Sequence, residues 1–420
     1  MFTRRTFLET ASLAGAHALG LSPWGFAQQQ SPAHPDEMTA NTARQRQAFT
    51  QYDFGPVPAT LPAETLALQG DKSLKAHARS RGLMAGAAVV VSHEVMADPA
   101  MQQLLAQQYG MLVPSNELKW VALRPSRNTF DFSRADALFA FCEAHGMAVR
   151  GHTLAWHQSV PKWLEQDAAT LNVRDIFVEH IRTVVGRYKG RVHSWDVVNE
   201  AISPVDGEPN GMRTSFWAKN VGPDYIELAF RTAREADPHA KLAYNDYGVE
   251  TDSPDQATRR HDVLALLRRL QAAKVPVDAV GIQAHIKAAS KSAIGSGLRD
   301  YMAAIAAMGL EIYITELDVD EDAIQANDVV TRDRLIAETY RQLLDTALAS
   351  PAVKLVLTWG TSDRNTWLND VATHRQKQPD RQQRSLPFDA GYRPKPAFFA
   401  IRDAFDRAPA RPDKAPVAGE

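Results

Sequence analysis

Residues 315 to 320, TELDVD, set Glu316, Asp318 and Asp320 on alternate positions directly after the apolar run Leu310, Ile312, Tyr313, Ile314. Glu200 stands in the same kind of place, at the end of the run SWDVVN. Two carboxyl groups that meet across a cleft, with no metal or cofactor motif alongside, suit glycoside hydrolysis. One acid protonates the leaving oxygen while the other attacks or stabilises an oxocarbenium-like centre. That division needs one carboxyl protonated and the other ionised, which neighbouring charge and burial impose. Either glutamate alone fits equally well a structural ion pair at a strand end.

Other residue types near these acids favour a sugar. Asn116, Lys119, Asn199, Asn245 and Gln283 supply the directional donors and acceptors that hydroxyl recognition requires. Trp120, Trp156, Trp359 and Trp367 supply flat apolar faces whose indole N–H can bond a hydroxyl. Competing chemistries have less behind them. His152, His157 and His285 lack an HExxH or similar metal-ligand spacing, so no metal is expected. Residues 159 to 162, SVPK, match the SxxK pattern of acyl-enzymes without its SDN and KTG partners, and no GxSxG elbow occurs. The single cysteine, Cys142, sits in the apolar run ALFAFCEAHG and reads as a buried structural thiol. No cofactor is implied.

The elements that would position these residues form a repeating pattern. Strand candidates run over Met84–Val91, Met111–Pro114, Ala148–His152, Ser194–Val198, Lys241–Asn245, Ala279–Gln283, Glu311–Thr315 and Val353–Trp359. Segments such as DIFVEHIRTVVGRYKG and HDVLALLRRLQAAKV lie between them, with apolar residues three and four apart as in helices. Strands reading as continuous apolar runs are buried on both faces, so the class is α/β with a parallel sheet. Without GxGxxG or GxxxxGK[ST], eight such units predict a closed (β/α)8 TIM barrel. Nearly every candidate strand ends in polar residues: SNELKW, GHTLAWH, VVNEA, NDYG, GIQAHI, TELD and TWGTSD. In a closed barrel these ends converge on one mouth, and the fourth and seventh strands face each other across it.

The chain has 420 residues and a formal charge of -2, which excludes the basic footprint of a nucleic-acid binder and suits an uncharged substrate. At its start, Arg4 and Arg5 precede Phe7 and Leu8, an apolar stretch from Ala11 to Leu21, and small residues around Phe26. This resembles a twin-arginine export signal ending at Ala27, with the product exported to the periplasm or beyond. The segment is too short for a permanent membrane anchor. Residues 28–70, rich in Gln, Pro and Ala, read as a partly disordered linker. Residues 71–408 read as one catalytic domain, and 409–420 as a flexible tail. The expected form is a monomer.

The motifs SNELKW, GHTLAWH, SWDVVNEA, NDY, GIQAH, ITELD, TWG…TW and FDAGYRPKPAF, in this order, resemble glycoside hydrolase family 10, the endo-1,4-β-xylanases, over residues 72–406. The resemblance implies retaining double displacement on β-1,4-linked xylan and xylo-oligosaccharides, with Glu316 as nucleophile and Glu200 as acid/base. It implies that Asn199 bonds the 2-hydroxyl at the cut and that His285, held by Asp318, orients Glu316. By the same resemblance His152, Trp156 and Lys119 bind the adjacent sugar, and His157 and Gln283 lie by the acid/base. Tyr247 would meet the aglycone sugar, and Trp359 and Trp367 would line the glycone side. Asp320 is left as a solvated residue. Retention requires carboxyls roughly 5 Å apart. The family commonly carries Glu where Ser115 stands; Glu117, two steps on, cannot simply replace it, which bears on glycone binding and chain-length preference. Gly248 after NDY is a second departure. Another retaining β-1,4-glycanase, or a non-catalytic sugar-binding barrel, stays open as an alternative; the latter would not need both glutamates.

Overall fold

Nine parallel strands occur among the described residues of the computed structural model, which are 54–369 and 381–411. They are β1 (Met84–Val89), β2 (Met111–Pro114), β3 (Ala148–Trp156), β4 (Ser194–Asn199), β5 (Lys241–Asp246), β6 (Ala279–Ile282), β7 (His285–Lys287), β8 (Glu311–Asp320) and β9 (Val353–Thr358). Eight of them close a barrel: β1 through β6 pair in sequence order, β6 pairs with β8, β8 with β9, and β9 returns to β1. The short β7 follows β6 after a break at Ala284, whose φ is 64°, and pairs with the outer half of β8, setting His285 opposite Asp318.

Side chains alternate across the barrel wall as a pleated strand requires. Ala88, Met111, Val113, Ala243, Ala279, Tyr313, Leu355 and Leu357 fill one cluster, while their neighbours Leu112, Leu242, Tyr244, Ile312, Ile314 and Val356 belong to the larger core with the helices. Both sets being apolar explains why the strands read as unbroken apolar runs. The helices show the complementary period: in Val173–Arg187, Ile176, Phe177, His180, Ile181, Val184 and Val185 are buried, each aliphatic side chain contributing roughly 2 kcal/mol by leaving water. Asp98, Ser253 and Asp328 cap the starts of helices Pro99–Gln108, Pro254–Ala272 and Val329–Leu348 by accepting from amides three residues on.

All eight expected strands are present, starting at the expected residues. β4 and β5 run one residue further than expected, and two run much further: β3 continues past His152 to Trp156, and β8 past Thr315 to Asp320. Register shifts interrupt β3 between His152 and Ala155 and β4 between Asp196 and Val198, re-aiming the side chains that follow. Residues 54–70 pack on the barrel: Leu61 and Thr65 are buried, Thr65 Oγ1 donates to the Tyr392 carbonyl at 2.6 Å, and Arg364 donates to the carbonyls of Phe54, Gly55 and Pro56. At the other end, Arg411 donates to the carbonyls of Val353 and Leu348, each at 3.0 Å. The expected export signal over 1–27, the part of the expected linker upstream of Phe54 and the part of the expected tail beyond Arg411 lie outside the described residues. Among the described residues, no helix is long and apolar enough to cross a membrane.

Candidate active site

Glu316 sits where β8 leaves the barrel wall and enters the mouth, and it is 5% exposed. Its Oε1 accepts from Asn245 Nδ2 at 2.7 Å, and its Oε2 lies 3.2 Å from His285 Nε2. The other ring nitrogen of His285 meets Asp318 Oδ1 at 2.8 Å, and Trp367 Nε1 donates to Asp318 Oδ2 at 2.7 Å. Burial alone would push His285 toward neutrality, but Asp318 and then Glu316 outweigh it, so the imidazole stays protonated well above its usual range. Burial would likewise raise the Glu316 carboxyl. The His285 bond, the nearby His152 and His285 rings and the Asn245 bond reverse that, leaving the carboxyl below its ordinary value and ionised. The alternating acids of TELDVD thus have separate duties: Glu316 faces the mouth, while Asp318 anchors an imidazolium and an indole.

Glu200 directly follows β4 in a left-handed backbone, φ 59°. Its Oε1 accepts from Gln283 Nε2 at 3.0 Å and from Asn199 Nδ2 at 3.2 Å, and His157 Nδ1 lies 3.8 Å from Oε2. Burial holds the His157 imidazole down at about 4, so it stands neutral there, although Glu200 pulls the other way. The two glutamates are joined by amides. Asn245 Nδ2 donates to Glu316 and also, at 2.8 Å, to Asn199 Oδ1, while Thr315 Oγ1 fixes Asn245 by donating to its Oδ1 at 2.7 Å. Gly281 makes this possible, because a Cβ there would lie 2.0 Å from Asn245 Oδ1. Gly281 pairs with Asn245 in register, so strand pairing and amide placement are one constraint.

Around these acids the structure gathers most of the residues expected to touch a sugar. His152 is buried, with Nδ1 3.0 Å from Asp196 Oδ2; Trp359 crosses it edge-on at 5.3 Å, and Trp156 lies 6.4 Å away. Lys119 Nζ sits 4.7 Å over the Trp156 ring and donates to Asn116 Oδ1 at 3.4 Å. Burial lowers its pKa against the pull of Glu316, Glu117 and Glu200. Trp367 packs edge-on to His285 at 5.3 Å. Tyr247 lies on the Glu200 side, its hydroxyl accepting from Arg213 Nη2 at 3.2 Å.

Two expectations need correction. Trp120 is no platform at the mouth: it is fully buried, donates to the Leu154 carbonyl at 2.6 Å and stacks on His180 at 3.5 Å, because the short helix it opens turns the indole into the core. Asp320 is half-buried rather than solvated, its Oδ1 accepting from the Asp322 amide at 2.8 Å. At the departures, Ser115 Oγ donates to the Val89 carbonyl at 2.7 Å, and buried Glu117 is engaged by the amides of Val91 and Asn116. The thiol of buried Cys142 is pushed up to about 12 by burial, as suits a packing residue.

Sequence reasoning passed over Asp196, Arg150 and Thr315. Asp196 is shared between His152 and the buried guanidinium of Arg150, which lies 5.5 Å from the Tyr313 ring centre inside the barrel. For Asp196 and Arg150 the signal was present: a charged residue inside an apolar strand needs a buried partner, and β3 and β4 each carry one.

A parallel barrel that brings two buried, differently partnered carboxyls together over shared amides, with indoles beside them, defines a two-carboxylate glycoside hydrolase. Similarity to known proteins narrows the class. Residues 73–404 match the model of glycosyl hydrolase family 10, and the chain belongs to that family. It is 34% identical over 305 residues to endo-1,4-beta-xylanase B of Thermotoga neapolitana, covering 72% of this chain and 83% of that one. An exoglucanase of Acetivibrio thermocellus is 34% identical over 336 residues, but the chain spans only 28% of that protein's length. Among solved structures, xylanase 10B of Thermotoga petrophila in complex with xylobiose superposes with a TM-score of 0.69 at 31% identity, over 80% of this chain and 97% of that one.

Proposed function

We propose that this chain is an exported endo-1,4-β-xylanase that cleaves internal xylosidic bonds with retention of configuration. Glu316 attacks the anomeric carbon while Glu200 gives its proton to the departing glycosidic oxygen, so the C–O bond breaks as an ester to Glu316 forms. Glu200, now ionised, then takes a proton from water, whose oxygen displaces Glu316 and frees the sugar. The observation that carries this reading is the amide chain Glu316–Asn245–Asn199–Glu200, which ties both carboxyls to one site. The depressed carboxyl of Glu316 supports its part as the ionised nucleophile. Asn199 is assigned to the 2-hydroxyl at the cut, and His285 with Asp318 to orienting Glu316. His152, Trp156, Lys119 and Asn116 are assigned to the neighbouring glycone sugar, Trp359 and Trp367 to the glycone wall, Tyr247 to the aglycone sugar, and His157 and Gln283 to the surroundings of the acid/base.

The test is release of reducing ends from xylan, carboxymethylcellulose and mannan, with viscosity to separate internal from terminal cleavage and proton NMR to read the first anomer. Xylan cleavage with a rapid viscosity drop and an initial β-anomer is expected. Preference for a glucan would favour the alternative that the Acetivibrio thermocellus relative's name suggests, and binding without turnover would favour a sugar-binding barrel. The proposal extends to the ends of the chain: an export signal over residues 1–27, a linker to residue 70 whose last part, from Phe54, lies against the barrel, a catalytic domain over 71–408 acting as a monomer, and a tail. Replacing Arg4 and Arg5 by Lys is expected to hold the enzyme in the cytoplasm; unchanged export would reject the signal.

A further inference from the structure

The turn that presents Glu200 is held by two arginines that no motif above includes. Glu200 adopts φ 59°, a backbone region that a side chain bearing a Cβ occupies only when its surroundings fix it there. Arg213 Nε donates to the Glu200 carbonyl at 2.7 Å, and its Nη2 reaches the Ile202 carbonyl at 3.4 Å and the Tyr247 hydroxyl at 3.2 Å. The Arg213 amide donates to the Ala201 carbonyl at 2.8 Å. From the far side, Arg259 Nη1 also donates to the Ile202 carbonyl, and its guanidinium lies 4.3 Å over the Tyr247 ring. Tyr247 therefore contacts two guanidiniums that share the Ile202 carbonyl, and Arg213 also fastens the carbonyl of Glu200 itself.

Gly248 now has an explanation. It adopts φ 67°, and a Cβ there would lie 3.3 Å from Arg259 Nε and 3.4 Å from its Cδ, so the glycine leaves the space in which Arg259 lies on the ring. Buried Asp246, at the end of β5, faces Arg259 Nη1 at 3.5 Å and helps hold it.

We infer that Arg213 and Arg259, acting through Tyr247, are positioning residues for proton transfer by Glu200: a clamp that fixes the acid/base turn, separate from the groups that hold the nucleophile. This rests on the assignment of Glu200 as acid/base. A slack clamp leaves Glu316 attack untouched and misplaces only the proton, so its signature is dependence on the leaving group. Unactivated xylo-oligosaccharides need the proton early, whereas a dinitrophenyl xylobioside departs without it. Near-attack geometry of this kind is worth about a hundredfold when lost.

The experiment measures kcat and KM for Arg213→Met, Arg213→Lys, Gly248→Val and Glu200→Ala on both substrates, with melting temperature and oligosaccharide affinity alongside. Arg213→Met is expected to lose about a hundredfold in kcat/KM on xylotetraose and less than about threefold on the dinitrophenyl substrate, with binding unchanged. Arg213→Lys, which keeps the charge but not the fork, is expected to restore part of the loss. Gly248→Val, which intrudes on Arg259 without touching Glu200, is expected to show the same split at smaller size. Equal losses on both substrates, losses that track melting temperature alone, or a loss on xylotetraose matched by weakened oligosaccharide affinity or a raised KM, as a disturbed Tyr247–aglycone contact would give, overturn the clamp. If Glu200→Ala itself shows no such split, the acid/base assignment fails instead.

Discussion

Glu316 and Glu200 share a residue type, near-complete burial and a position at the mouth, yet the carboxyl of one meets a charged ring directly while that of the other bonds to neutral amides. Glu316 touches an imidazolium that Asp318 keeps protonated, so its carboxyl is held ionised. Glu200 touches the carboxamides of Asn199 and Gln283 and lies beside the neutral ring of His157. Burial is common to both and therefore cannot assign their work; the partners do. A third glutamate makes the point from the other direction. Glu94 is 2% exposed, accepts from the Val90 amide and Asn365, and faces the acids Glu117 and Asp98; burial pushes its carboxyl up to about 7.

The largest test of this contrast is Glu316→Ala, expected to lower kcat by on the order of 10⁴ or more while xylo-oligosaccharide binding by calorimetry persists. Turnover close to wild type would place the nucleophile elsewhere. Next is Glu200→Ala, expected to cost about 10³ on xylan and far less in the first step on an activated aryl xylobioside; equal losses would remove the distinction between the two acids. Asp318→Asn removes the charge that keeps His285 protonated. The imidazolium is then lost at lower pH, so the alkaline limb of the pH–rate profile is expected to move down, with a loss of roughly tenfold near neutrality. An unmoved limb would detach His285 from the ionisation of Glu316. The smallest effect is on stability. Because the folded Glu94 carboxyl titrates above its unfolded value, the unfolded chain releases this proton first, and stability falls as pH rises from about 4.5 to about 7. Glu94→Gln is expected to remove that slope, worth roughly 3 kcal/mol at most, in melting curves taken across this range.

The barrel was legible because each strand is a short apolar run between helical periods, and burial on both faces produces that run directly. What escaped were the continuations of β3 and β8. In TELDVD the strict alternation of Glu316, Asp318 and Asp320 with Leu317 and Val319 is itself a strand signal, and Leu317 and Val319 are fully buried; acidity disguised it as a strand ending. The pairing glutamates were legible from position alone. Their unequal surroundings were not, since Asn245 comes from β5, Gln283 from the link after β6 and His285 from β7, and no local spacing states which carboxyl each will meet. Trp120 failed for a simpler reason: a helix start beside a polar motif gave no sign of which way the indole would turn.

Gly281 carries no functional group, yet the Asn245 carboxamide occupies the volume that any side chain at this position would claim. A descendant with alanine there would retain every acid, histidine and tryptophan by which such chains are recognised while the link between its two carboxyls came apart. Inventories of reactive residues would count that gene product as competent, so genome surveys for this activity should score the bare methylene in the sixth strand alongside the acids.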